Sequence, residues 1–429
     1  MKIAKLLLVF AVLANTTTAT PRPDVIRDWN QNMLDAALVP PATSPIVMSR
    51  VAAIVQVAVF DAVNGIERRY TPVHVVAAAP RGASIRAAAV QAAYGTLVVL
   101  YPAQHNSLDA KRAASLAEIA SDAAAGNSVS IARGIAWGQT VAEAILAWRS
   151  TDGFAPAPPA FLGSNVVGKW RPTPPGFLPG AGVQFSYMTP WAINSPSQFH
   201  PPGPPALTSA QYTKDFNETK TKGRFDSVTR TPDQTLYSLF WNAGTVSSFW
   251  DRIALSLAEE RHLTLSEKAR LLALLNISLA DAIIGCWEAK YSPNYRFWRP
   301  VTAIPLADTD GNPDTMADPS WTPLFATPNH PEYPSGHSCA SGAAGRTLSN
   351  YFGENTPFSI DSDVMVGVVR SFPNFSTALE EIKNARVFAG IHFRTACDDG
   401  QSLGVAVSDF VADHSLLSVH GQRQGQIQH

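Results

Sequence analysis

The segment His330-Pro-Glu-Tyr-Pro-Ser-Gly-His337 decides how this chain folds around its most reactive side chains. Pro331 and Pro334 restrict the backbone to an extended approach, and Gly336 permits a sharp turn. The small residues that follow predict a helix whose first turn is Ser335-Gly336-His337. Free N–H groups and the positive dipole end of such a helix favour a tetrahedral oxyanion, and His337 is a candidate acid or base beside it. The alternative is a proline-bracketed loop with an ordinary exposed histidine.

Two other segments add cations and a second imidazole. Residues 290–300 begin at Lys290 and end in Arg299-Pro300, and residues 385–392 carry Arg386 and end in His392. Three cations, two imidazoles and a helix N-terminus would together form a pocket for a phosphate-like anion. For Lys290, a structural interaction with the C-terminal dipole of its own helix is the alternative.

In order and spacing, the three segments resemble the signature shared by the vanadium-dependent haloperoxidases and the type 2 phosphatidic acid phosphatases. That signature is a Lys followed by Arg-Pro, then Pro-Ser-Gly-His, then Ser-Arg, five residues and His. The resemblance covers most of the mature chain and is closest to the secreted bacterial haloperoxidase-like branch. It implies an all-α fold built from helical bundles of the chloroperoxidase and phosphatase type. Further stretches carry this resemblance: Asp28-Trp29-Asn30, Asp61-Ala62-Val63-Asn64, 169–175 and 299–304.

The chain departs from the family pattern at three places. Eight residues separate Lys290 from Arg299 where the family usually has six, and Ala385 replaces the usual Ser before Arg386. Many of the phosphatases carry an Asp four residues after the last His, and here that position is Ala396. The sequence therefore leaves the carboxylate partner of the site histidines unidentified.

The resemblance implies an oxyanion site of cations and hydrogen-bond donors that binds vanadate, or phosphate in the same place. His392 would be the vanadium ligand and His337 would handle protons, so both are candidate catalytic residues. The residues implied to bind the cofactor are Lys290, Arg299, Ser335, Gly336 and Arg386.

Two more residues are expected just outside this set. His330 resembles the bromoperoxidase arrangement, with a solvent-facing histidine as the alternative, and Trp287 lies one helical turn before Lys290. His330, Glu332 and His337 could also be read as a metal cluster, but the prolines stiffen the spacer and a third nearby ligand is missing.

The resemblance implies an oxidoreductase, a vanadate-dependent haloperoxidase that uses hydrogen peroxide to oxidise a halide to a hypohalous species. Vanadate and phosphate share charge and geometry, so a secreted acid phosphatase is an alternative, in which His392 forms a phosphohistidine and His337 protonates the leaving oxygen of a phosphate ester. A non-catalytic oxyanion-binding helical protein is a second alternative, motivated by the long Lys290–Arg299 spacing and by Ala385.

Composition narrows the class of protein. The chain has 429 residues, 46% hydrophobic and only 16% charged, which predicts a well-buried globular protein. A formal charge of −1 without a basic run argues against nucleic acid or an anionic membrane as a partner; a homo-oligomer stays possible. Three cysteines, Cys286, Cys339 and Cys397, make no disulfide framework, so buried thiols are expected, with a Cys339–Cys397 bridge as the alternative.

The chain is predicted to have four parts. Residues 1–19 have the pattern of a secretory signal peptide, with an apolar core too short to span a bilayer. Residues 20–206 are a helical region with a Pro-rich aromatic excursion at 151–206, residues 207–420 are the catalytic helical bundle, and residues 421–429 are a disordered tail. We expect no later run long and apolar enough to cross a membrane, and therefore a secreted or periplasmic protein without stable membrane insertion. Apolar periodicity predicts helices at 48–66, 85–100, 111–123, 128–148, 209–222, 232–242, 250–262, 266–291, 376–391 and 400–414.

Overall fold

The computed structural model describes residues 24–122, 127–362 and 364–419. The predicted signal peptide and disordered tail lie outside the described residues. The described part is mostly helical, which confirms the predicted fold class. Its helices are α1 (Val25–Leu38), α2 (Pro45–Glu67), α3 (Ile85–Leu100), α4 (His105–Ser121), α5 (Ser128–Arg149), α6 (Ala210–Lys222), α7 (Pro232–Phe240), α8 (Val246–Glu260), α9 (Leu265–Tyr291), α10 (Pro300–Ala303), α11 (Gly336–Phe352), α12 (Phe375–Phe388) and α13 (Arg394–His414).

One short antiparallel hairpin was not predicted. Strand β1 (Phe358–Asp361) pairs with β2 (Val369–Phe372), and Phe358 lies opposite Phe372. Their buried rings pack on the helical core, and Phe358 stacks on Phe375 at the start of α12. Four-residue strands are too short for a period of two to be recognised in a sequence.

Helix α9 is the axis of the fold. Its start is fixed by a capping box between Thr264 and Glu267. It packs against α2, α8, α11 and α13, which explains why it is apolar on almost every side. Lys290 lies in the last turn of α9, so this central helix places one cation next to the site segments.

Helices α2 and α9 correct one expectation. By length and composition both could cross a membrane, although no such run was expected from the sequence. In their most apolar windows, 83% of α2 and 94% of α9 is buried inside the protein. Other elements therefore cover their apolar surfaces, and a buried core helix passes the same test of length and composition.

Two buried carboxylates fasten loops onto these two helices. Asp61 of α2 accepts the successive backbone N–H groups of residues 73–75 at 2.8–2.9 Å. Asp281 of α9 accepts those of residues 191–193, in the aromatic excursion, at 2.7–3.0 Å. Each carboxylate thus satisfies three loop donors that would otherwise be buried without a partner.

Helices α11 and α13 approach each other closely through glycine. A Cβ atom built on Gly342 of α11 would lie 2.6 Å from the Gln401 carbonyl oxygen. A Cβ on Gly400 would lie 2.9 Å from the Ser335 carbonyl oxygen, and one on Gly404 would overlap the Cys339 carbonyl oxygen. This contact fixes the position of α11, whose first turn carries the Ser-Gly-His sequence.

Candidate functional site

The three predicted site segments meet at a cavity of about 280 Å³. Its opposite wall is apolar and comes from α2, α9 and the excursion, with Ile46, Phe185 and Ile283 among its side chains. Of the predicted site residues, six line the cavity: Trp287, His330, Gly336, His337, Arg386 and His392. The other three lie behind this lining: Lys290, Arg299 and Ser335.

Ser335 starts α11 at the cavity, as the sequence predicts. It is the N-cap, its hydroxyl accepts the N–H of Ser338 at 3.4 Å, and its own N–H donates to the Ala396 carbonyl at 2.8 Å. A Cβ on Gly336 would lie 3.0 Å from the ring of Trp287, so the absence of a side chain lets the helix start sit against that indole. The first-turn N–H groups of α11 have no intrahelical acceptors and are oriented to bind an anion.

Lys290 points at the loop rather than into the cavity. Its ammonium donates to the carbonyl oxygens of Pro331 at 2.9 Å and Glu332 at 3.0 Å, and also to that of Pro334. Burial, with the Arg299 charge as a smaller cause, lowers the pKa of Lys290 to about 8. All three ammonium hydrogens are therefore used to hold the proline-bracketed loop. In this arrangement Lys290 has no hydrogen directed at an anion in the cavity, unlike the direct contact that was predicted.

Arg299 holds two imidazoles at once. Its Nη2 lies 2.9 Å from Nδ1 of His330, and its Nη1 lies 3.0 Å from Nε2 of His392. Nε and Nη1 also donate to the carbonyl oxygens of His330 and Ile391. Burial lowers the pKa of Arg299 to about 10. His330 is itself buried, so the solvent-facing alternative for this residue is wrong.

The donor pattern fixes the tautomer of His392. Arg299 can only donate, so Nε2 of His392 must carry the lone pair and Nδ1 the hydrogen. That hydrogen is donated to Oε1 of Glu332 at 2.9 Å. Burial, followed by the charge of Arg299, holds the pKa of His392 well below its usual range. The imidazole is therefore neutral, with its lone pair on Nε2, which accepts a hydrogen bond from Arg299 and is the ring nitrogen that could act as a ligand or nucleophile.

Glu332 is the site residue that sequence reasoning missed. It is 1% exposed and contacts His392 from the loop in front of α11, whereas the family pattern places a carboxylate after the last histidine. No local signal marked it, since a glutamate in a proline-bracketed loop is ordinarily exposed to solvent. From the sequence, Glu332 was a candidate only for a metal cluster, and within the described residues no three His, Cys, Asp or Glu side chains cluster to hold a metal ion.

Arg386 and His337 complete the polar end of the cavity. Arg386 is 1% exposed, its Nη1 lies 3.5 Å from Oδ1 of Asn242, and its Nε has no hydrogen-bond partner among the described residues. Burial lowers the pKa of Arg386 to about 9. Burial, then the charge of Arg386, holds the pKa of His337 well below its usual range.

The charges of the site do not balance by themselves. Lys290, Arg299 and Arg386 are buried cations, and Glu332 is the carboxylate in contact with this group. Burial raises the pKa of Glu332 to about 7. Buried cations and an unpaired Arg386 Nε are costly unless an anion compensates them. The donor set therefore fits a tetrahedral oxyanion such as vanadate, with Arg386 and the first turn of α11 as its donors and His392 Nε2 as its ligand.

The three cysteines are free thiols and are completely buried around this site. Cys286 of α9 has its sulfur 3.7 Å from the Pro334 carbonyl oxygen. Cys339 and Cys397 lie in the first turns of α11 and α13. The prediction of buried thiols is confirmed, and the alternative Cys339–Cys397 bridge is not formed.

Comparison with known proteins gives a consistent result. Residues 270–421 match the family model of the VCPO second helical-bundle domain. The structure is similar to that of the first bacterial vanadium-dependent iodoperoxidase, with a TM-score of 0.80 and 26% sequence identity over 92% of this chain and 97% of that one. It shares its fold with a holo-type bacterial vanadium-dependent chloroperoxidase, with a TM-score of 0.70 and 16% identity over 92% of this chain and 96% of that one. No curated protein matches the chain by sequence. Residues 270–421 thus match this helical-bundle domain, and the described chain has the fold of the bacterial vanadium haloperoxidases.

Proposed function

We propose that this protein is a vanadate-dependent haloperoxidase that oxidises a halide with hydrogen peroxide. The observation that carries the proposal is His392, whose neutral imidazole is held with Nε2 towards Arg299 in a buried, cation-rich site. The similarity to a bacterial vanadium-dependent iodoperoxidase over 92% of the chain supports the same activity. The phosphatase and the non-catalytic binder raised by the sequence are not favoured by any comparison.

The residues divide the chemistry between them. Vanadate held in this site would supply the activation of hydrogen peroxide for transfer of one oxygen atom to the halide. The net reaction, X⁻ + H₂O₂ + H⁺ → HOX + H₂O, consumes a proton. His337 is neutral, so it can accept a proton from hydrogen peroxide and return it to the oxygen that leaves as water, and solvent supplies the second proton that this oxygen needs. Arg386 and the α11 N-terminus bind the oxyanion charge, and Arg299 and Glu332 orient His392.

We also propose that the protein acts outside the cytoplasm, in the periplasm or secreted. The support is the signal-peptide pattern of residues 1–19, which precede the described part of the chain. The small inorganic substrates need no protein partner, and a homo-oligomer is compatible with this proposal.

A paired assay on the mature protein, freed of oxyanions by dialysis, tests the proposed activity. One arm contains vanadate, peroxide and iodide or bromide with a halogen-accepting dye, and the other contains a phosphate ester without vanadate. We expect vanadate-dependent halide oxidation that is lost in His392→Ala and kept in His105→Ala, a matched change of an exposed histidine. Ester hydrolysis that vanadate inhibits, without halide oxidation, would overturn the proposal in favour of the phosphatase.

A further inference from the structure

Glu332 is anchored through its backbone as well as its side chain. Its N–H donates to the Phe297 carbonyl at 3.0 Å, and its own carbonyl accepts from Lys290 at 3.0 Å. The prolines on either side of the dipeptide Glu332-Tyr333 limit the remaining backbone freedom. The backbone of Glu332 is therefore held in one position, and this position determines where its carboxylate lies.

The carboxylate lies at the Nδ1 side of the His392 ring. Oε1 of Glu332 accepts two hydrogen bonds, from Nδ1 of His392 and from the backbone N–H of Phe393, both at 2.9 Å. One oxygen atom thus holds both the ring and the peptide that follows it. With Arg299 on the opposite nitrogen, the ring plane and the tautomer are both determined.

The other acids of this region are used elsewhere. Asp398 accepts from Lys383, and Asp399 accepts from the Tyr333 hydroxyl. Position 396, where many phosphatases of the superfamily carry an aspartate, is a buried alanine. Glu332 is therefore the carboxylate that contacts the site histidine, and it comes from a different segment of the chain.

We propose that Glu332 is the positioning residue for His392: it holds the hydrogen on Nδ1 and so keeps the lone pair on Nε2, the nitrogen that would bind the oxyanion. The negative charge behind the ring also makes Nε2 a stronger donor to a metal centre. This inference rests on the proposed function for the identity of the oxyanion as vanadate, but the orientation of His392 can be measured without it.

Two variants separate charge from geometry. In Glu332→Gln, an amide oxygen can still accept from Nδ1 and from Phe393, so the fold is kept while the charge is lost. In Glu332→Ala, the acceptor itself is lost. Asp398→Asn is the matched control, because it removes a neighbouring carboxylate that does not contact His392.

The first readout is the dissociation constant of inorganic vanadate, measured by vanadium NMR on the full-length mature protein. We expect Glu332→Gln to weaken binding by roughly 10- to 100-fold, Glu332→Ala to weaken it further, and Asp398→Asn to leave it unchanged. Wild-type affinity in Glu332→Gln and Glu332→Ala would overturn the proposal.

The second readout is the tautomer of His392, from nitrogen NMR of protein with labelled histidine, using His392→Ala for assignment. We expect the hydrogen on Nδ1 in the wild type and in Glu332→Gln. In Glu332→Ala we expect a mixture of tautomers, because a ring that Glu332 no longer holds can turn away from Arg299. A wild-type ring with its hydrogen on Nε2, or an unchanged tautomer in Glu332→Ala, would overturn the positioning role. If the wild type fails to oxidise halide but shows this tautomer dependence, the proposed function fails and the role of Glu332 stands. If Glu332→Ala does not fold, the Glu332→Gln affinity and the wild-type tautomer decide the proposal.

Discussion

Replacing Gly404 by alanine tests whether the α11–α13 contact determines the geometry of the site. A Cβ at position 404 would overlap the Cys339 carbonyl oxygen and lie 2.6 Å from the backbone nitrogen of Ala343. Both obstacles are main-chain atoms, so no rotamer change relieves them, and the helices must separate by roughly 1 Å. Overpacking of this kind costs about 3 kcal/mol, offset by about 1 kcal/mol of improved helix propensity, which leaves a net destabilisation of about 2 kcal/mol.

The assay compares thermal unfolding, followed by circular dichroism, with vanadate affinity. We expect Gly404→Ala to melt several degrees lower and to bind vanadate more weakly, because the first turn of α11 moves with its helix. The matched control is Gly285→Ala in α9, where the nearest atom to the new Cβ would be the Pro196 carbonyl oxygen at 3.4 Å, an ordinary contact. That variant should be as stable as the wild type or more so, by up to about 1 kcal/mol. Equal melting temperatures and equal vanadate affinities for the two variants would refute the reasoning.

Three further changes test the buried charges. Asp281→Asn should destabilise the protein by about 3 kcal/mol and expose the excursion to proteolysis around 191–193, because an amide cannot accept all three backbone N–H groups; resistance equal to wild type would contradict this. Burial raises the pKa of Asp251 to about 7, with Asn276 as its hydrogen-bond donor, so the native state binds more protons than the unfolded state between about pH 4 and pH 7. The stabilisation from this group is complete below about pH 4 and is lost as the pH rises through 7, so the difference in unfolding free energy between wild type and Asp251→Asn should change by about 1.4 kcal/mol per pH unit in that range; parallel profiles in chemical denaturation would disprove it. Arg386→Ala should weaken vanadate binding by roughly 10- to 100-fold by equilibrium dialysis, because it removes a charge-assisted donor, and an unchanged affinity would remove Arg386 from the site.

Local rules of helix formation were sufficient to predict much of the fold. Helix α3 begins and ends at the predicted residues, and α11 begins at Gly336, one residue later than predicted, with Ser335 as its N-cap. Helix α13 begins at Arg394, six residues earlier than predicted, because Ala396 and the two acids that follow Cys397 give a weak apolar period. The order of the three motifs correctly placed His337, Arg386 and His392 around one cavity.

Side-chain direction could not be predicted in the same way. Lys290 has the expected position, but the loop carbonyls of Pro331 and Pro334 compete for its ammonium and turn it away from the cavity. Glu332 was missed because its partner His392 lies 60 residues away, and one sequence contains no signal for such a pairing. Helix α9 is long and apolar enough to cross a membrane, which was not expected, because a helix at the centre of a large bundle is as apolar as a membrane span.

The free thiols of Cys286, Cys339 and Cys397 set a limit on the working life of the proposed catalyst. A hypohalous acid oxidises any sulfur that it reaches, and access is one of the main controls on that reaction. All three cysteines lie on helices that surround the site, none of them lines the cavity, and all three are buried. The number of turnovers before self-inactivation would then depend on how rarely the helices around these thiols open. A bundle that opens less often would therefore also resist oxidation for longer.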